Sequence, residues 1–110
     1  PYTVYNARKS YIENNKDVIK GFTKAIQKGI DYVKDHNSEE IAKTILNYFP
    51  DVSLSDLTTI VDRYKSIDSW YDNTLITEEN FNHVQEIMEE AGELNKRVPY
   101  KDLVNVSFGK

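Results

Sequence analysis

Asn15-Lys16-Asp17-Val18-Ile19-Lys20-Gly21-Phe22-Thr23-Lys24-Ala25-Ile26-Gln27-Lys28-Gly29-Ile30-Asp31-Tyr32-Val33-Lys34-Asp35 is the stretch that sets the fold class. Val18, Ile19, Phe22, Ala25, Ile26, Ile30 and Val33 recur at i, i+3 and i+4, the spacing of one buried side of an α-helix. The spacing predicts a long helix to about Asp35, with Asn15 as its N-terminal cap. Lys16, Lys20, Lys24 and Lys28 follow every four residues on the opposite side. That is where a solvated face must lie. Asp17 and Asp31 interrupt the basic field, so the stripe reads as solvated surface rather than a phosphate site.

Working outward, Pro1 to Ala7 is rich in Tyr, Thr and Val and reads as a strand or extended lead-in. A short helix is expected over Arg8 to Asn14, around Tyr11 and Ile12. Downstream, Asn37 and Glu40 have capping-box spacing for a helix carrying Ile41, Ala42, Ile45, Leu46 and Phe49, which Pro50 stops. Ser53 or Ser55 caps the next helix, with Leu54, Leu57, Ile60, Val61 and Tyr64. Asp68 to Ile76 is a turn-rich connection holding Trp70 and Tyr71. Thr77 then caps a helix expected to face Phe81, Val84, Ile87, Met88 and Ala91 inward, and Gly92 ends it. Pro99 opens a last short helix through Leu103 and Val104. The chain therefore reads as mainly α.

At 110 residues the chain is one domain at most. Hydrophobic residues make up 39% and charged residues 29%, so composition does not move it out of the ordinary globular class. A net charge of −4 gives the whole chain no electrostatic reason to bind nucleic acid or an anionic membrane. With no cysteine, disulfides, thiolate metal sites and thiol catalysis are excluded. No apolar run is long enough to span a bilayer, and no signal peptide is visible. Pro1 stands where an initiating Met would be, so a processed or cut product is expected, whose lack of a signal says nothing about export.

Candidate chemistry is sparse. His83 and Glu86, with Glu79 four residues before the His, share one side of a helix, as metal ligands must. A site needs a third ligand and the only other histidine is His36, so an exposed His among acids is the better reading. Glu39-Glu40, Glu78-Glu79 and Glu89-Glu90 are adjacent pairs, which point in different directions on a helix and are not acid–base dyads. There is no Gly-x-Ser-x-Gly elbow and no Gly-rich phosphate loop. Nothing argues for an enzyme, and no cofactor is implied. Eight tyrosines and Trp70 suit both core edges and small-ligand pockets. Taken alone, Trp70 reads better as a packing anchor than as a ligand platform.

The order of these elements resembles a known family. Ile67-Asp68-Ser69-Trp70, Leu75-Ile76-Thr77-Glu78-Glu79, Ile87-Met88-Glu89-Glu90-Ala91-Gly92 and Val98-Pro99-Tyr100-Lys101-Asp102-Leu103-Val104 follow one another as in the C-terminal part of substrate-binding proteins of ABC importers. The branch is the one for nitrate, sulfonate, taurine or thiamine-pyrimidine compounds. Tyr11-Ile12-Glu13-Asn14-Asn15-Lys16-Asp17-Val18-Ile19-Lys20-Gly21-Phe22 resembles the segment after the family's second inter-lobe crossover, with Lys16 where proline is common. Asp31-Tyr32-Val33-Lys34 and Ser38-Glu39-Glu40-Ile41-Ala42 resemble its next helix pair. The resemblance covers essentially the whole chain.

It implies the periplasmic-binding-protein-like II fold, two α/β lobes closing on a small solute that is passed to a membrane permease. Residues 1-110 would be its C-terminal helical segment, with 1-7 a hinge or crossover strand and 8-110 helices. The parent would be non-enzymatic, extracytoplasmic (periplasmic or lipid-anchored to the outer face of the membrane), and most ligand contacts would lie upstream of Pro1. Within this chain, hinge backbone near Tyr2 to Tyr5 is expected. Residue type and turn location nominate Trp70 and Asn73 as cleft-edge ligand contacts. Helix faces made to cover a sheet predict self-association of the segment alone. The alternative function is a free-standing helical protein-interaction domain. A third reading, a thiamine-pyrimidine biosynthetic enzyme on the same fold, would need metal-binding histidines beyond His36 and His83.

Overall fold

The computed structural model describes residues 3–109. Six α-helices run in order: α1 (Lys9–Asn14), α2 (Lys16–Asp35), α3 (Ser38–Ile45), α4 (Leu54–Ser66), α5 (Glu78–Glu90) and α6 (Tyr100–Leu103). A 3₁₀ turn, Leu46–Tyr48, follows α3. The mainly α expectation therefore holds. The strand expected at 1-7 is a correction: residues 3–7 are irregular and pair with no sheet, while Pro1 and Tyr2 lie outside the described residues. A strand needs a neighbour for its backbone donors and acceptors, and no described residue of this chain forms one. Of the expected hinge at Tyr2 to Tyr5, only the part from Thr3 onward can be placed.

Two compact units partition the chain, Lys24–Asn73 and Pro1–Thr23 with Thr74–Lys110, the division falling within α2. In the Lys24–Asn73 unit, Ile41 and Ala42 of α3 meet Leu57 and Val61 of α4 in a small buried core. Tyr32, Val33, Ile45, Leu46, Val52 and Leu54 pack around it. The ends of α3 and α4 follow local chemistry. Asn37 Oδ1 accepts from the Glu40 amide while Glu40 Oε2 accepts from the Asn37 amide, a complete capping box. Ser53, not Ser55, caps α4 by accepting from the Asp56 amide. α3 stops earlier than Phe49, because its last turn tightens into the 3₁₀ form before Pro50.

Asp68 closes α4 in the left-handed region, at φ 52°. The Ser69 amide donates to the Tyr64 carbonyl and the Asp68 amide to the Lys65 carbonyl, the bond pair of a Schellman end. Glycine normally fills that position because a Cβ is strained there. We expect Asp68→Gly to raise stability by about 0.5 kcal/mol, part of the relieved strain being offset by added freedom in the unfolded chain. Urea titration read by Trp70 fluorescence checks this, and a lowered midpoint would contradict it.

In the other unit, Thr77 caps α5 by accepting from the Asn80 amide. Gly92, at φ 74°, ends it with the same two-bond motif: the Gly92 amide donates to the Glu89 carbonyl and the Glu93 amide to Met88. The inward stripe expected on α5 needs correction. Phe81 and Val84 are half-buried, but Ile87 is 52% exposed and Met88 and Ala91 are exposed as well. The buried residue is Gln85, at 6%. Its Oε1 accepts from the Val98 amide at 2.7 Å and its Nε2 donates to the Val98 carbonyl at 3.2 Å. The α6 segment is thus held by a side-chain amide imitating a strand neighbour. Phe81 meets the Tyr100 ring edge-on at 5.8 Å, and the Tyr100 hydroxyl donates to the Ile76 carbonyl. Ile87 stands two residues from Gln85, nearly opposite on the helix, so burying one exposes the other.

Asn15 also departs from its expected role. Its side-chain amide donates to the Tyr11 carbonyl at 2.9 Å and so serves the end of α1, while its carbonyl accepts the first α2 bond from Ile19. The apolar stripe of α2, expected to be a buried side, is open too: none of its residues is fully buried, and Val18 and Phe22 are exposed.

Candidate functional site

α2, α4 and the turn after α4 bring aromatic and charged side chains together beside Trp70. Tyr64 sits on the last turns of α4, and the Schellman end at Asp68 swings the chain so that Trp70 lies over it, with ring centroids 5.8 Å apart. Ile30 and Val33 of α2 form the apolar floor beside these rings. Lys34 and Asp72 close the rim as an ion pair of 3.2 Å. Gln27 Nε2 donates to the Asp72 carbonyl, which ties the turn back to α2. Lys65 Nζ donates to the His36 carbonyl at the end of α2.

The cleft, open to one side, has a volume of about 120 Å³. Clefts that take a small molecule by themselves run to roughly 300–1,000 Å³. The cleft has an aromatic side and is not a closed pocket. Trp70, nominated as a ligand contact, is among its lining residues. Asn73, the other nominated residue, is not among the lining residues, although it directly follows Asp72. Sequence reading missed Tyr64, Lys34 and Asp72. The available signal was weak, since Tyr64 sat in a stripe assigned wholly to the core.

A wider, open groove of about 610 Å³ lies between the start of α3 and the end of α4. Its polar groups are already used in joining the two helices: Ser38 Oγ donates to Asp62 Oδ1 at 3.0 Å, and Lys65 is committed to His36. Apolar walls with a few converging polar groups make a better ligand surface. The smaller Trp70 cleft is therefore the candidate site.

The remaining charged groups are surface chemistry. Lys43 donates a hydrogen bond to Glu39 and holds its carboxyl below the ordinary value, with charge attraction adding to this. The pair therefore favours the fold above the ordinary carboxylate range and ceases to do so as pH falls through the lowered value. Both partners are exposed, so the effect is small. His83 Nδ1 lies 3.5 Å from Glu86 Oε2, also exposed. No third ligand gathers there, and no group of three potential metal ligands forms anywhere among the described residues. No described helix is long and apolar enough to cross a membrane.

The chain is 37% identical over 105 residues to a protein of Bacillus subtilis (strain 168) named "Putative binding protein YtlA". The match takes in 96% of this chain, which spans only 31% of that protein's length. No protein-family model matches the chain. No solved structure matches it either.

Proposed function

We propose that this chain is the C-terminal helical segment of an extracytoplasmic solute-binding protein serving an ABC importer, with a sulfonate, nitrate or thiamine-pyrimidine type of solute. The observation that carries this is the 37% identity, over nearly the whole chain, to a longer protein named for binding. The order of motifs from Tyr11 to Val104 supports the importer branch. In this reading the Trp70 cleft is one wall of the solute site, and the facing wall comes from the two α/β lobes of the parent. The segment binds and does not catalyse, its partner is the membrane permease, and the parent works outside the cell membrane, in the periplasm or anchored by lipid to the membrane's outer face. An interaction domain is the second reading, favoured by the exposed Ile60, Ile67 and Tyr71.

Thermal unfolding of the full gene product against taurine, other sulfonates, nitrate and aminopyrimidines tests the first reading. A ligand present at a hundred times its Kd adds about 2.7 kcal/mol of stability, which is a Tm rise of several degrees. One class should produce that rise and the others should not. A flat response to every class would sink solute capture. Trp70→Ala should weaken the responding solute about tenfold, the scale of one aromatic contact. An unchanged Kd would remove Trp70 from the site while leaving the function standing.

A further inference from the structure

We propose that the Trp70 cleft seats a positively charged nitrogen of the solute, held by the Asp68 carboxylate against the rings of Tyr64, Trp70 and Tyr71. This rests on the solute-binding reading and adds which part of the solute meets these residues. Four charged residues line the cleft: Lys34, Lys65, Asp68 and Asp72. Lys34 and Asp72 neutralise each other as an ion pair of 3.2 Å. The Lys65 ammonium donates to the His36 carbonyl, at the negative end of the α2 dipole. The Asp68 carboxylate has no hydrogen bond or ion pair with any described residue. One negative charge is therefore left unanswered in the cleft.

Beside it stand the three aromatic side chains, with the Tyr64 and Trp70 rings 5.8 Å apart and inclined at 35°. Ring faces are electron-rich and attract a cation placed within about 6 Å of the ring centre. An anion would meet both those faces and the free carboxylate. An ammonium group, or an aminopyrimidine protonated beside the carboxylate, satisfies both. Nitrate and an amine-free sulfonate satisfy neither. The backbone points the same way. Asp68 is the sole non-glycine residue at positive φ among the described residues, at 52°. Glycine would make that turn more easily but carries no carboxylate. Strain of this kind persists where the site needs the side chain. Here it puts an acid at the corner where α4 gives way to the Trp70-Tyr71 turn. At about 120 Å³ the cleft suits a charged head group rather than a whole solute.

Calorimetric titration of the full gene product with taurine and with isethionate reads the result directly, because the two differ only by an ammonium in place of a hydroxyl. An aminopyrimidine and unsubstituted pyrimidine form a second pair, and nitrate is the nitrogen-containing anion. In the pair that the protein takes, the amine-bearing member should bind at least about tenfold tighter, the scale of one charge-assisted contact over aromatic faces. Asp68→Asn removes the charge and keeps the turn, since asparagine adopts the left-handed conformation readily. It should erase most of that preference and leave the amine-free member bound as before. Isethionate or pyrimidine binding as tightly as its amine-bearing counterpart overturns the proposal, as does binding of nitrate alone. Equal weakening of both members by Asp68→Asn would show a structural role for Asp68 and also overturns it. In each of those cases a solute is still bound, so solute capture stands. Binding of none of the five compounds removes solute capture and this proposal with it.

Discussion

Leu57→Ala is expected to destabilise the packing of α3 on α4 by about 3 kcal/mol, from lost burial plus the cavity left behind. The buried core of the Lys24–Asn73 unit consists of Ile41, Ala42, Leu57 and Val61, and Leu57 has the largest side chain on the α4 side of it. A core of four residues has little in reserve, since small folded units rarely hold more than a few kcal/mol in total. Removal of three carbon atoms there takes most of the margin. The chain supplies its own probe: Trp70 is the sole tryptophan and rests on Tyr64 of α4. With a urea slope of about 1 kcal/mol/M, the midpoint of its fluorescence transition should fall by about 3 M. Ile60→Ala, three residues along the same helix but exposed, should cost under about 1 kcal/mol. Equal losses at the two positions would mean that the α3/α4 contact is not the stabilising one.

The second large effect is expected at Gln85. Leucine fits the volume of glutamine but carries no amide. Gln85→Leu would leave the Val98 N–H and C=O without the partners they have now. An unpaired buried backbone group costs about 1–3 kcal/mol, so the variant should lose roughly 2–4 kcal/mol or release the segment to water. Release is visible as lost hydrogen-exchange protection at Val98 and at the Val104 amide, which donates to Tyr100 within α6. Gln85→Glu sharpens the test. A carboxylate keeps the acceptor for the Val98 amide but repels the Val98 carbonyl. A protonated acid can donate to that carbonyl again. The Gln85→Glu variant should therefore be weakened at neutral pH and recover as pH falls through the titration of its acid. The parent chain should show no such recovery. Protection that survives Gln85→Leu would show that the clamp contributes nothing.

The two sites also show what could be read in advance. Helix ends were legible because they depend on chemistry within four residues: the Asn37/Glu40 capping box, Ser53, Thr77 and Gly92 act where expected. Leu57 was legible too, since periodicity locates an apolar stripe. Periodicity does not say how much of a stripe is covered. On α4 one stripe divides into buried Leu57 and Val61 and exposed Ile60 and Tyr64. On α5 the apolar residues stay outside while Gln85 goes in, because two hydrogen bonds to Val98 satisfy an amide that burial alone would penalise. A hint lay in the spacing, with Gln85 four after Phe81 and three before Met88, yet residue type argued against it.

The candidate site divides in the same way. Trp70 was nominated as an aromatic in a turn, and it does line the cleft. Tyr64, Lys34 and Asp72 come from other parts of the chain, and no local pattern links residues so far apart in sequence. Asp68 turned the α4 end without the glycine that usually signals such a turn. The sequence by itself determined six helices, the capping chemistry of α3, α4 and α5 and a mainly α class, since those follow from contacts one turn apart. Tertiary structure alone decided which faces are covered, which amide is buried and which residues meet at Trp70, because these depend on partners distant along the chain.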